Sequence, residues 1–145
     1  MVSRAHPHTR RDYAAFTHIT TRWADNDIYG HMNNAVHYQL FDTTVNTHLM
    51  QIGLLDPANS ETVFLVVDTG CTYFAEMRFP DTITAGLRVA HLGTSSVRYQ
   101  IALFANDDDS AAAQGHFTHV HVARSDRRPR PLTPPTRQAL EALHK

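Results

Sequence analysis

At 145 residues the chain fits one domain, long enough to bury a sizeable core and too short for two ordinary ones. Hydrophobic residues make up 42%, charged residues 19%, and the formal net charge is -1, so electrostatics argue for neither nucleic acid nor a membrane surface as partner. Cys71 is the only cysteine, which excludes a disulfide within the chain, and no apolar run approaches the ~20 residues a membrane-spanning helix needs.

The opening residues, MVSRAHPHTRRD, lack the apolar core of a signal peptide, and with the single cysteine this leads us to expect a cytoplasmic protein. Residues 1–15 are polar and aperiodic and are expected to form a flexible leader, with a single domain over 16–145. FTHITTRW then alternates as a first strand does, and ADNDIYGHMNN concentrates the Asp, Asn and Gly that favour turns and helix starts.

From Asn34 the apolar residues Val36, Leu40, Phe41, Val45, Leu49 and Ile52 recur at helical spacing, and Gly53 supplies a stop. Thr43, Thr44, Val45 and Thr47 are poor helix formers, so this helix needs packing from the rest of the fold. Beyond LDPANSE the period changes to two. TVFLVVDTGCTYF, DTITAGLRVAHL and SSVRYQIALFA each predict a strand, NDDDSA a hairpin tip, and AAQGHFTHVHVA the strand returning from it. The tail, rich in proline, ends in a short helical stretch. Strand, long helix and four further strands predict an α+β fold, an antiparallel meander around one helix.

The chemistry concentrates in RWADNDIYGHMNNAVHYQLFD, residues 22–42. By spacing alone, Asp25 and Asp27 read as caps of the turn or helix, each worth about 0.5–2 kcal/mol, and Asn33 and Asn34 are good N-cap residues. Gly30 permits a backbone conformation that a Cβ would block, and His31 either holds the turn or orients a substrate. Elsewhere, His119 and His121 share one face of a strand, a geometry open to a metal, but no third ligand is evident.

This segment resembles the signature of hotdog-fold acyl-CoA thioesterases of the 4-hydroxybenzoyl-CoA thioesterase type: an aromatic residue, Asp-x-Asp, a short link to Gly, then His-x-Asn-Asn and the central helix. The resemblance continues through LGTSSVRYQIALF, AAAQGHFTHVHV and RRPRPL and covers roughly residues 18–143. It departs where relatives commonly read Val-Asp and this chain has Val122-Ala123.

The resemblance implies a hotdog fold, an antiparallel sheet wrapped around one long central helix, assembled as a homodimer or homotetramer with active sites at subunit interfaces. It implies hydrolysis of acyl-CoA thioesters with no metal and no organic cofactor. Asp27 matches the family's catalytic carboxylate, and Asn34 the position whose backbone N–H holds the thioester carbonyl oxygen. Gly30, His31 and Asn33 would accompany them in binding substrate, as would Ser95 and Ser96, which match segments along the substrate channel; for the two serines a turn into a strand is an equal reading. Arg127, Arg128 and Arg130 are either solvated or paired with CoA phosphates.

The physical basis is general. Attack on a thioester carbonyl builds negative charge on oxygen, and a helix start offers unpaired N–H groups and a positive dipole end to receive it. A carboxylate beside that point can activate water or attack directly. The resemblance leaves two alternatives: a second hotdog lineage uses a strand-side glutamate, for which Glu76 is the candidate, and hotdog hydratases use an Asp and His pair, for which His37 with Asp42 nearby is the candidate.

Overall fold

The computed structural model describes residues 4–145. In chain order the elements are β1 (Ala15–Thr20), α1 (Val36–Gln51), β2 (Thr62–Tyr73), β3 (Thr82–Leu92), β4 (Ser96–Ala105), β5 (Ala113–Ala123) and α2 (Pro134–Glu141). The expected succession of one strand, one long helix and four strands is what forms, and it forms because the hydrophobic period changes from two to 3.6 and back.

All strands are antiparallel in one sheet of order β1-β3-β4-β5-β2. β1 and β2 are therefore the two edges, and α1 connects them by crossing one face. That crossing buries His37, Leu40, Phe41, Thr44, Val45 and Leu49, a stripe at helical spacing. Ile83, Leu87, Val89, Val97, Tyr99, Ile101, Leu103 and Phe117 meet it from the sheet. Thr44 Oγ1 bonds the Leu40 carbonyl at 2.6 Å, so a poor helix former is accommodated by bonding back to its own helix. This is the hotdog arrangement, with the sheet curled around the helix.

The outer face of the sheet carries a smaller cluster of Tyr13, Ala102, Phe104 and Ala111. Residues 1–3 of the expected leader lie outside the described residues. From His8 onward the leader is held: its N–H bonds Gln114 Oε1 at 2.7 Å, and the Arg10 guanidinium reaches the Asn106 and Asp108 carbonyls. Tyr13 is 2% exposed over Gly86, where a Cβ would sit 2.8 Å from the ring. A large side chain on a glycine-floored patch thus fastens a segment that has no other large apolar residue.

β2 departs from the half-buried strand that its apolar run predicts. Leu65, Val66 and Val67 are exposed, with a bulge between Val66 and Asp68, because β2 is an edge whose second side has no strand beside it within the chain.

Candidate active site

The loop between β1 and α1 is built by its acidic and amide side chains. Asp25 is buried; its carboxylate accepts the Arg22 N–H at 2.8 Å and the Arg22 guanidinium at 2.8 and 3.1 Å, and its carbonyl takes the Asn33 N–H at 2.9 Å. It holds the loop to the helix approach. Asp27 closes the tip: Oδ1 accepts the Tyr29 N–H at 2.8 Å, the Asp27 N–H bonds the His31 carbonyl at 3.0 Å, and the Gly30 N–H bonds the Asp27 carbonyl at 3.1 Å. Gly30 adopts φ +82°, the left-handed region this tight return requires.

Asp27 Oδ2 takes no hydrogen bond from the described residues. Asp27 lines a cleft of about 420 Å³ with Trp23, Asn26, Ile28 and Gly30. Trp23, Ile28 and Tyr29 are 77%, 93% and 78% exposed, so a carboxylate with one free oxygen sits among apolar side chains that nothing in the chain covers. Such a setting desolvates a carboxylate once the apolar rim is closed over.

The helix starts two residues later than the spacing predicts. Asn33 Oδ1 accepts the Ala35 N–H at 2.9 Å and the Asn33 carbonyl accepts the Val36 N–H at 2.9 Å, so a local turn precedes Val36. The Asn34 N–H makes no hydrogen bond among the described residues. Asn34 lines a cavity of about 290 Å³ with His31, Met32, His37, Tyr73 and Phe74 to Met77.

Asp27 and Gly30 therefore open on one cleft and His31 and Asn34 on the next, joined through the His31 backbone. Asn33 spends its amide oxygen on the turn. Ser95 and Ser96 are elsewhere within the chain: Ser96 pairs with Val120 while Tyr73 pairs with Ala113, which puts the serines roughly 20 Å along β5 from the Asn34 cavity. The Ser95 carbonyl accepts the His121 N–H at 2.7 Å and the Ser96 carbonyl the Gly93 N–H at 2.8 Å, as in a turn leading into a strand.

The other candidates are placed as follows. Glu76 lines the Asn34 cavity, 63% exposed at its side chain, with His31 Nε2 at 3.7 Å and Arg78 Nη2 at 3.8 Å. His37 and Asp42 do not meet: His37 is buried, whereas Asp42 is exposed and bonds Asn46 one turn on. That separation removes the pair a hydratase would use. His119 and His121 do share the inner face, and both rings lie on Phe64 with centroids 5.2 and 5.0 Å apart. A cleft of about 610 Å³ with His121, Arg124 and Arg130 in its wall is at the serine end of the sheet. Arg124 there is committed to the Ser60 and Pro57 carbonyls.

Burial sets the state of the groups around Asn34. It lowers the His37 pKa, raises that of the Tyr73 hydroxyl far above the phenol range, and pushes the Cys71 thiol up to about 11. At neutral pH His37 is a neutral ring, Tyr73 a hydroxyl donor and Cys71 a thiol rather than a nucleophilic thiolate. The sequence offers no pattern that singles out Tyr73; it enters the site only because β2 ends beside the start of α1.

Residues 21–140 match the thioesterase-like superfamily. The chain belongs to that family. Among solved structures it is similar to the PA5185 protein from Pseudomonas aeruginosa strain PAO1, at 48% identity over 96% of this chain and 97% of that one, with a TM-score of 0.93. It is also similar to the PA2801 protein from Pseudomonas aeruginosa, at 27% identity, 88% and 98% coverage and a TM-score of 0.82. A 1,4-dihydroxy-2-naphthoyl-CoA thioesterase from Synechocystis shares the fold at 16% identity, covering 86% of this chain and 93% of that one, with a TM-score of 0.78. No curated protein matches the chain. No helix of the described residues is long and apolar enough to cross a membrane.

Proposed function

We propose that this member of the thioesterase-like superfamily hydrolyses acyl-CoA thioesters, with Asp27 as the reactive carboxylate and the Asn34 N–H as the oxyanion donor. The observation that carries the reading is that one short loop holds both Asp27, whose Oδ2 takes no hydrogen bond among the described residues, and Asn34, whose N–H donates none and which lines a cavity just ahead of α1.

In the reaction the oxygen of water ends on the acyl carbon, the C–S bond breaks, and a carboxylate and CoA leave. Asp27 either takes the proton of the attacking water or forms an acyl anhydride that water then opens. Both routes put negative charge on the former carbonyl oxygen, and one well-aimed N–H is worth about 2.7–4 kcal/mol there. The exposed Trp23, Ile28 and Tyr29 around Asp27 supply the apolar contact that an acyl group or a neighbouring chain would cover.

The same reading makes the protein a homo-oligomer built on dimers. An unprotected edge with Leu65, Val66 and Val67 exposed is suited to pairing with the same edge of a second copy. Such a pairing would bring a second chain to the end of β2, where Tyr73 meets the Asn34 cavity. A thiol-release assay over a panel of acyl-CoAs tests the activity. Turnover of at least one member supports it, and tight acyl-CoA binding without thiol release from any member would replace it with a sensor of acyl-CoA.

A further inference from the structure

The carbonyl of Asn34 has two side-chain partners. Tyr73 Oη, at the end of β2 and 39 residues away in sequence, donates to it at 2.9 Å. His37 Nδ1, three residues on in α1, lies 3.2 Å from the same oxygen. The two rings meet edge to face, with centroids 4.7 Å apart and planes at 85°. A carbonyl oxygen only accepts, so His37 carries its proton on Nδ1 in this contact. The neutral ring and the raised hydroxyl described above keep both groups as donors across the physiological pH range.

This grip falls on the second of two consecutive peptide planes. The first, which contains the Asn34 N–H, is held on its other side by the Val36 N–H bonded to the Asn33 carbonyl at 2.9 Å. The second contains the Asn34 carbonyl. With both planes pinned, the Asn34 N–H in the first has little freedom to turn.

We propose that Tyr73 is a positioning residue: its hydroxyl, together with His37, holds the Asn34 peptide so that the Asn34 N–H keeps a fixed direction at the cavity these residues line. The inference rests on Asn34 being the oxyanion donor. Its physical content is that preorganised donors stabilise a developing charge without reorganising at the moment of reaction, so freeing the carbonyl weakens the transition state more than the bound substrate.

Tyr73→Phe removes the hydroxyl and leaves the ring against His37. The test compares it with wild type by kcat and KM on an acyl-CoA turned over in the panel. It also measures Kd for two CoA ligands: a trifluoromethyl ketone, whose hydrate mimics the oxyanion, and an alkyl thioether of the same chain, which has no carbonyl. The expected result is a kcat lowered about tenfold or more with KM within about twofold. Ketone affinity should fall in parallel and thioether affinity stay unchanged, at an unaltered melting temperature.

A Tyr73→Phe enzyme with wild-type kcat and ketone affinity would overturn the inference. So would a parallel loss of affinity for both ligands together with melting temperature, which marks a merely structural residue. Asp27→Asn, assayed beside it, separates the two ideas: if that variant is also fully active, the reading of the site has failed, and if only Tyr73→Phe is, the positioning role alone has.

Discussion

His119 and Tyr99 meet edge to face on the inner side of the sheet, ring centroids 5.8 Å apart, and neither His119 Nδ1 nor Tyr99 Oη has a hydrogen-bond partner among the described residues. His119 is 1% exposed and also packs on Phe64 and Phe117, so its ring is buried as an apolar body. Burial lowers its pKa from 6.5 to about 4.

The folded state thus refuses a proton that the unfolded chain accepts between about pH 6.5 and pH 4. Stability is full above that window and is lost as pH falls through it. By pH 5 the loss from His119 is about 2 kcal/mol relative to pH 7.5. His37 and His48 are shifted in the same direction and add to it. Urea unfolding at the two pH values measures the slope, and His119→Leu should flatten it; an unchanged slope in that variant would reassign the effect.

The N-terminal segment should matter to stability from His8 onward. Tyr13 fills the outer cluster against Gly86 and Phe104, stacks under the Arg88 guanidinium at 5.1 Å, and bonds His8 Nδ1 through its hydroxyl at 2.8 Å. Tyr13→Ala is expected to cost about 3–5 kcal/mol of unfolding free energy, measured by urea unfolding.

Two glycines separate close approach from backbone strain. At Gly115 an added Cβ would collide with the Gly70 carbonyl oxygen and sit 2.7 Å from Phe41, so Gly115→Ala must push β2 or α1 away and should abolish soluble expression or lower the melting temperature steeply. At Gly30 nothing lies within 4 Å, and only φ +82° opposes a side chain. Gly30→Ala should cost about 1–2 kcal/mol, and Gly30→Asn less.

The β2 edge predicts assembly. Light scattering should give twice the 16.3 kDa chain mass or a multiple of that. Val67 is 59% exposed, so Val67→Lys should leave the single chain folded while placing two charges where the edges would meet. The expected outcome is a shift toward monomer with loss of thiol release; an unshifted, fully active variant would move the interface away from this edge.

What could be read from the sequence was local. β1, α1 and the four later strands follow from alternation and helical spacing, and Asp25, Asp27 and Gly30 stand out because turns need those residue types. The start of α1 shows how far spacing carries: Asn33 has the side chain of a capping residue, but its amide oxygen closes a turn on the Ala35 N–H, and α1 begins at Val36 with Ala35 as its N-cap and no side-chain cap. Contacts across the fold leave no such trace. Tyr13 over Gly86 and Tyr73 on the Asn34 carbonyl join residues 73 and 39 positions apart, and β2 reads as an ordinary apolar strand until the sheet order makes it an edge. Ser95 and Ser96 fit the family pattern along the chain, yet the strand register carries them to the far end of the sheet from Asn34.

The central claim is that the Asp27 carboxylate does the chemistry. Asp27→Asn is the most direct test, because the amide oxygen can still accept the Tyr29 N–H and keep the loop while the group loses its charge and basicity. Thiol release measured for both proteins on the best acyl-CoA should show kcat/KM lowered by about 10²-fold or more, at an unchanged melting temperature. Equal rates for the two proteins would contradict it.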